Sequence, residues 1–245
     1  MTLSGKRVLI TGGGTGVGAD MAAGFRAAGA DVVIAGRRPG PLQYIADQTG
    51  ARAITADVTD EASIAALFDA AGQVDIVIAN AGAAASAPFG KTTLADWNAM
   101  IAVNLTGVFL TLREGLNRMT DWGRLITVAS TAGLKGYAYV APYAAAKHGA
   151  VGLIRALALE VARKNITANA LCPGFLDTEM TDRSVANIVE KTGMAPDKAR
   201  ATLSGVNPQN RLIQPAEVTA AALWLCGPGS DGINGQAIPI AGGEI

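Results

Sequence analysis

In the stretch 141–148, APYAAAKH, a tyrosine stands four residues before a lysine, with three alanines between them. On a helix that spacing puts Tyr143 and Lys147 on one face, a turn apart. Pro142 suits the first turn of such a helix, and the alanines are strong helix formers. A free phenol has a pKa of about 10, poorly matched to proton transfer at neutral pH. A neighbouring ammonium favours the phenolate, so the pair predicts a lowered Tyr143 pKa and a residue that gives or takes a proton.

A second chemical stretch is TGGGTGVG at 11–18, after an apolar run and before a helical pattern. Amide groups there and the helix N-terminus suit an anion such as a phosphate. Gly12, Gly16 and Gly18 follow T-G-x-x-x-G-x-G, not G-x-G-x-x-G, and the Lys-Ser/Thr pair of a P-loop is missing. A glycine-rich turn alone leaves a purely structural role open; its place after the first strand favours a dinucleotide. At the end of the second apolar run stands AGRRP, with Gly36, Arg37 and Arg38 and no acid to hold a ribose 2′-hydroxyl. Guanidinium groups match phosphate geometry, which favours NADP(H). Two solvated arginines on a loop are the plain alternative, and NAD(H) stays open with it.

Other chemistry is poorly provided for. Cys172 and Cys226 are the only cysteines and lie in apolar surroundings, which predicts packing rather than a disulfide framework. His148 is the only histidine, so zinc sites and His-dependent triads lack their residues, and a helix-surface role is expected for it. With 20 basic and 20 acidic residues, nothing favours nucleic acid or an anionic membrane. No unbroken apolar run reaches the roughly 18–20 residues of a membrane span. MTLSGKRVLITGG enters a strand pattern at once, with no room for a signal peptide, so a cytoplasmic protein is expected.

The elements that must position these residues alternate along the 245-residue chain. Apolar runs at 7–12, 31–36, 51–56, 74–82, 123–130, 166–174 and 235–243 predict strands. Helical patterns fall at 16–28, 39–49, 60–72, 94–118, 142–164 and 215–227, with mixed helix and loop at 178–212. Continuous rather than alternating apolar strands mean burial on both faces. The expectation is an α/β fold in three layers, α/β/α, with a doubly wound parallel sheet of seven strands in one domain over 1–245.

Taken in order, these motifs resemble the short-chain dehydrogenase/reductase family over essentially the full length. The glycine loop, Asp57-Val58 after the third strand, Asn80-Ala81-Gly82 after the fourth, VASTAG at 128–133, the Tyr143–Lys147 pair and Cys172-Pro173-Gly174 after the sixth carry the likeness. The resemblance implies a Rossmann fold and catalytic Asn104, Ser130, Tyr143 and Lys147. It implies cofactor contacts from Gly12, Gly14, Thr15, Gly16, Val17 and Gly18, from Arg37 and Arg38, and from Asp57 and Val58 at the adenine. Asn80, Ala81, Gly82, Tyr143, Lys147, Pro173 and Gly174 continue the set, with Thr178 at the nicotinamide carboxamide. Lys147 would hold the ribose hydroxyls, and Asn104 would anchor a water between Lys147 and solvent. By its residues alone, Asn104 is equally a satisfied polar group in a core helix. Ser130 would polarise the carbonyl oxygen that Tyr143 protonates.

The resemblance further implies a homotetramer, or a dimer, packed through the helices of Asn104 and Tyr143; internal helix packing is the alternative. It makes 178–212 a substrate lid. Arg183, Lys191, Lys198 and Arg200 there are either a solvated face or contacts for the phosphates of an acyl-CoA. The segment 141–180 resembles β-ketoacyl thioester reductases and polyketide ketoreductases. Lys164 fits docking of a carrier protein, whereas Asp121 opposes it. The expected activity is NADP(H)-dependent hydride transfer between nicotinamide and a ketone or secondary alcohol, with a β-ketoacyl compound or related ketone as the small-molecule substrate. An NAD-dependent secondary alcohol dehydrogenase and a non-catalytic dinucleotide sensor are the alternatives.

Overall fold

Valine- and isoleucine-rich runs can sit in a sheet buried on both faces only if helices cover each face. The computed structural model, which describes residues 2–245, has that arrangement. The strands are β1 Arg7–Thr11, β2 Asp31–Gly36, β3 Arg52–Thr55, β4 Ile76–Ala79, β5 Gly123–Val128, β6 Ile166–Pro173 and β7 Ala237–Ile240. All pairings are parallel, in the order β3-β2-β1-β4-β5-β6-β7.

The helices are α1 Gly16–Ala27, α2 Pro39–Thr49, α3 Glu61–Ala71, α4 Leu94–Ile101, α5 Gly107–Asn117, α6 Ala141–Val161, α7 Glu179–Thr192, α8 Pro196–Ser204 and α9 Pro215–Leu225. Local chemistry sets their ends. Asp60 accepts the Ala62 N–H at the start of α3, Thr93 and Asp96 form a capping box on α4, and Gly50 and Gly193 close α2 and α7 in the left-handed region. Strand side chains alternate between two cores. Leu9, Val33 and Val77 pack with Phe68 of α3, Val108 of α5 and Ile154 of α6. Val8, Ile10, Ile34 and Ile78 pack with Phe25 of α1, Leu42 of α2 and Val218 of α9.

Two differences from the sequence expectations have physical causes. The single helix expected over 94–118 is broken by a π turn at 102–106, where Gly107 N–H reaches back to Ala102 O. And Leu94–Asn117, 24 residues with mean hydropathy 1.3 over an 18-residue window, is long and apolar enough to cross a membrane by length and composition alone, which the run-length reading does not register. Its apolar residues are separated by polar ones, so no unbroken run shows in the sequence. In the fold, Val108 and Leu112 lie against the sheet, while Leu94, Trp97 and Phe109 stay exposed.

The strands also end earlier than the apolar runs. β4 stops before Asn80 and β5 before Ser130, so the residues at those two ends leave the ladder and line a cleft. The chain crosses from one side of β1 to the other between β3 and β4, and such a switch point opens a crevice at the carboxyl ends of the strands.

The amino end of the sheet is tied by Arg124, only 2% exposed. It donates to Leu225 O at 3.1 Å and Gly123 O at 3.0 Å, and pairs with Asp231 at 2.5 Å. Its guanidinium lies 4.3 Å from the Trp122 ring centroid, and Lys6 covers the same ring at 4.4 Å. Arg124→Met leaves Leu225 O with the Ser230 hydroxyl alone and removes the donors to Gly123 O and Asp231, and is expected to lower the unfolding free energy by about 1–3 kcal/mol. A urea titration measures this, and an unchanged midpoint would show that the tie contributes nothing.

Candidate active site

The first wall of the cleft is the glycine loop, pinned from β4. Thr11 Oγ1 accepts from the N–H groups of Asn80 at 3.1 Å and Ala81 at 3.2 Å. Asn80 Nδ2 donates to Thr11 O at 2.9 Å and Gly12 O at 3.3 Å. Its amide nitrogen therefore clasps the loop. The loop folds onto itself so tightly that a Cβ on Gly18 would lie 2.2 Å from Gly12 O. The α1 helix begins at Thr15 with no side-chain cap and no acid in its first turn, so its first amides and positive dipole end are open. That chemistry fits a dinucleotide pyrophosphate. Val17 is buried in the core, which leaves its backbone as the part that faces a ligand.

Gly16 and Thr178 meet, since a Cβ on Gly16 would be 3.4 Å from Thr178 Cγ2. Thr178 starts α7, also without a side-chain cap. Two helix N-termini thus converge on one side of the cleft. Pro173 is buried at the end of β6, and Gly174 N–H is held by Ile240 O at 3.0 Å. On the other side Arg37 and Arg38 are exposed beyond β2. Asp57 accepts from the Thr59 N–H at 2.9 Å; this bond above all, with the nearby Arg37 charge as a lesser cause, holds its carboxyl below the usual range. Val58 is buried beneath it, against Gly107.

The proton-handling residues sit at the carboxyl ends of β4 and β5. Ser130 Oγ accepts the Ala132 N–H at 3.1 Å, which leaves its own proton to donate. Lys147 is buried and gives a hydrogen bond to Val128 O at 2.9 Å. Its Nζ is 5.6 Å from the Tyr143 ring centroid. Asn104, wholly buried in the π turn, donates from Nδ2 to Ala83 O at 2.9 Å and Met100 O at 3.1 Å, and accepts the Ala83 N–H at 3.3 Å. A Cβ on Gly82 would lie 2.9 Å from Asn104 Oδ1 and 3.7 Å from Lys147 Nζ, so these three residues share one corner.

The lowered phenol expected from the Tyr143–Lys147 spacing is not what the protein's own groups produce. Burial pushes the Tyr143 pKa up, and the opposing influence is a hydrogen bond with the Ser130 hydroxyl. The same burial drives Lys147 down to about 8. Desolvation outweighs the Ser130 hydrogen bond at Tyr143 and is the largest cause at Lys147. Cys172 beside them and Cys226 are free, buried thiols pushed up to about 11 and about 12 by burial, which suits packing. His148 is exposed on α6.

The segment 178–212 holds α7 and α8 and bridges the cleft: Asn187 Nδ2 donates to Ser86 Oγ at 2.9 Å. Arg200 is engaged by Asp182 at 2.7 Å and by Asp177, and Arg183 lies 3.9 Å from Glu179. Lys191 and Lys198 are exposed. Thr11 and Ser86 were not among the residues singled out from sequence. For Thr11 a signal existed, as the hydroxyl residue that opens the glycine motif; for Ser86, in a small-residue loop, there was none.

The short chain dehydrogenase family model matches residues 6–188. The chain is 33% identical to a D-beta-hydroxybutyrate dehydrogenase of Cupriavidus necator, over 99% of each chain. It is 30% identical to a 3-oxoacyl-acyl-carrier-protein reductase of Aquifex aeolicus, over 98% of each. A crystal structure of an actinorhodin polyketide ketoreductase variant with NADPH superposes with a TM-score of 0.90 at 32% identity, covering 100% of this chain and 99% of that one.

Burying Lys147 opposes folding. Unfolded lysine titrates at 10.5 and the folded one at about 8, so between those values the unfolded chain holds the extra proton and stability gains as pH rises. Lys147→Met is expected to raise the unfolding free energy by about 1–3 kcal/mol at pH 7. The gap to wild type should narrow above pH 8. Urea titrations at pH 7 and pH 10, without added dinucleotide, measure both; equal midpoints at pH 7 would show that Val128 O fully offsets the burial.

Proposed function

This chain belongs to the short-chain dehydrogenase family of oxidoreductases acting on hydroxyl and keto groups, and from that premise we propose that it is an NADP(H)-dependent reductase of ketones, with a β-ketoacyl compound or a related ketone as substrate. The observation that carries the reading is the corner where Ser130, Tyr143 and Lys147 meet beside an uncapped helix N-terminus. The names of the similar proteins, a ketoreductase with NADPH and a 3-oxoacyl reductase, support it.

A bound dinucleotide supplies the hydride in reduction and takes it up in oxidation. Ser130 donates its free proton to the substrate carbonyl oxygen and polarises it. Tyr143, kept protonated by burial at neutral pH, gives its proton to the same oxygen as charge develops there. Lys147 holds the ribose hydroxyls, and its charge steadies the phenolate that remains. Asn104 fixes the Ala83 backbone and the corner around Lys147. Arg37 and Arg38 take the 2′-phosphate, and Asp57 and Val58 border the adenine. Thr178 borders the carboxamide, and α7 and α8 form the lid.

Because Arg183 and Arg200 are engaged by lid carboxylates, the lid cations fit a solvated face better than a set of phosphate contacts. The exposed Leu94, Trp97, Phe109 and Leu159 on α4, α5 and α6 suit burial against further copies of the chain, as a cytoplasmic homotetramer.

NADPH oxidation with acetoacetyl-CoA and with unesterified ketones of the same reacting end, repeated with NADH, tests the reading; no turnover of either class would overturn it. Tyr143→Phe is expected to lower kcat at least 100-fold, with dinucleotide still bound by fluorescence titration. Arg37→Asp is expected to cut the NADPH-over-NADH preference in kcat/KM at least tenfold, and a preference that survives would remove Arg37 from the phosphate site.

A further inference from the structure

After β7 the chain turns back to the cleft, with Glu244 N–H donating to Ala241 O at 3.2 Å. The Glu244 side chain is 2% exposed, and its carboxylate meets Lys135 Nζ at 3.0 Å. It also accepts from the Tyr137 hydroxyl. Tyr137 gives its one proton to Glu244, so Thr131, whose Oγ1 lies 2.6 Å from that hydroxyl, donates to it in turn. Thr131 follows Ser130. The second carboxylate oxygen faces the other wall, where a Cβ on Gly174 would be 3.1 Å away. The Phe175 ring stands edge-on to Tyr137 at 6.4 Å, and Tyr137 is within electrostatic reach of Tyr143. A buried carboxylate is therefore linked through Tyr137, by two hydrogen bonds, to Thr131, the residue after Ser130.

Lys135 is the only cation between Ser130 and Tyr143 in the chain, and its side chain is 39% exposed. A substrate bearing its own carboxylate would look to such a cation for a partner. Glu244 already holds it, and two carboxylates at one partly buried ammonium repel each other. We propose that Glu244 is a specificity-determining residue: by neutralising Lys135 it makes the cleft select uncharged keto compounds, such as ketones, esters and thioesters, over free keto acids. The proposal rests on the ketone-reductase reading above.

The test compares acetoacetate with methyl acetoacetate, which share the reacting carbonyl, as a ratio of kcat/KM with NADPH. Wild type is expected to favour the ester. In Glu244→Gln the acid-to-ester ratio should rise at least tenfold, and added salt should shrink the gain. The double variant Lys135→Gln/Glu244→Gln should lose the gain. Glu244→Asp, which keeps the charge but draws it back from Lys135, should give an intermediate ratio and serves if the Gln variant does not fold. An unchanged ratio in either single variant, or a gain that persists in the double variant, would overturn the proposal while leaving the reductase reading intact. A wild type that turns over neither of these compounds nor acetoacetyl-CoA would overturn the reductase reading, and this proposal with it.

Discussion

An ammonium group taken out of water must find acceptors or lose its proton, and the catalytic corner is built around that demand from Lys147. The carbonyl of Val128, the last residue of β5, receives one of its hydrogen bonds. Gly82 supplies the space beside it, and Asn104 closes the corner by clamping the neighbouring Ala83 backbone. Asn104 stands in a π turn, the wider helical geometry often found at functional positions. The departure from α-helical geometry is confined to 102–106, and the sheet behind it stays regular.

The two ends of that sheet divide the labour. At the carboxyl ends, strands stop short so that Asn80 and Ser130 are free of the ladder. At the amino ends, Arg124 and Trp122 bind β5 to the end of α9. Stability gathered at one end permits open helix N-termini, a buried cation and a half-buried phenol at the other, as expected where function and folding compete.

How much of this the residues announce depends on the range of the interaction. The parallel seven-stranded sheet with helices on both faces follows from alternation of apolar runs and helices, and the glycine loop and the Tyr143–Lys147 pair are local patterns whose spacing carries their geometry. The π turn was invisible because propensity does not distinguish it from an α-helix. The raised Tyr143 pKa is not legible in the spacing, which reports a charged neighbour on the helix but not the desolvation that dominates once the layers pack. The pairing of Arg200 with Asp177 and Asp182 needs a lid fold, and the meeting of Lys135 with Glu244 joins residues 109 apart in sequence. Such contacts exist only after the layers have packed.

The three tryptophans occupy distinct parts of this architecture. Trp122 lies between two cations at the sheet end remote from the cleft, so its fluorescence follows the integrity of the whole fold and is blind to what occupies the cleft. Trp97 on α4 and Trp224 on α9 lie at the outer surface, 36% and 50% exposed. Their emission colours instead follow the polarity of whatever covers those two faces, giving the molecule separate optical readouts for unfolding and for association.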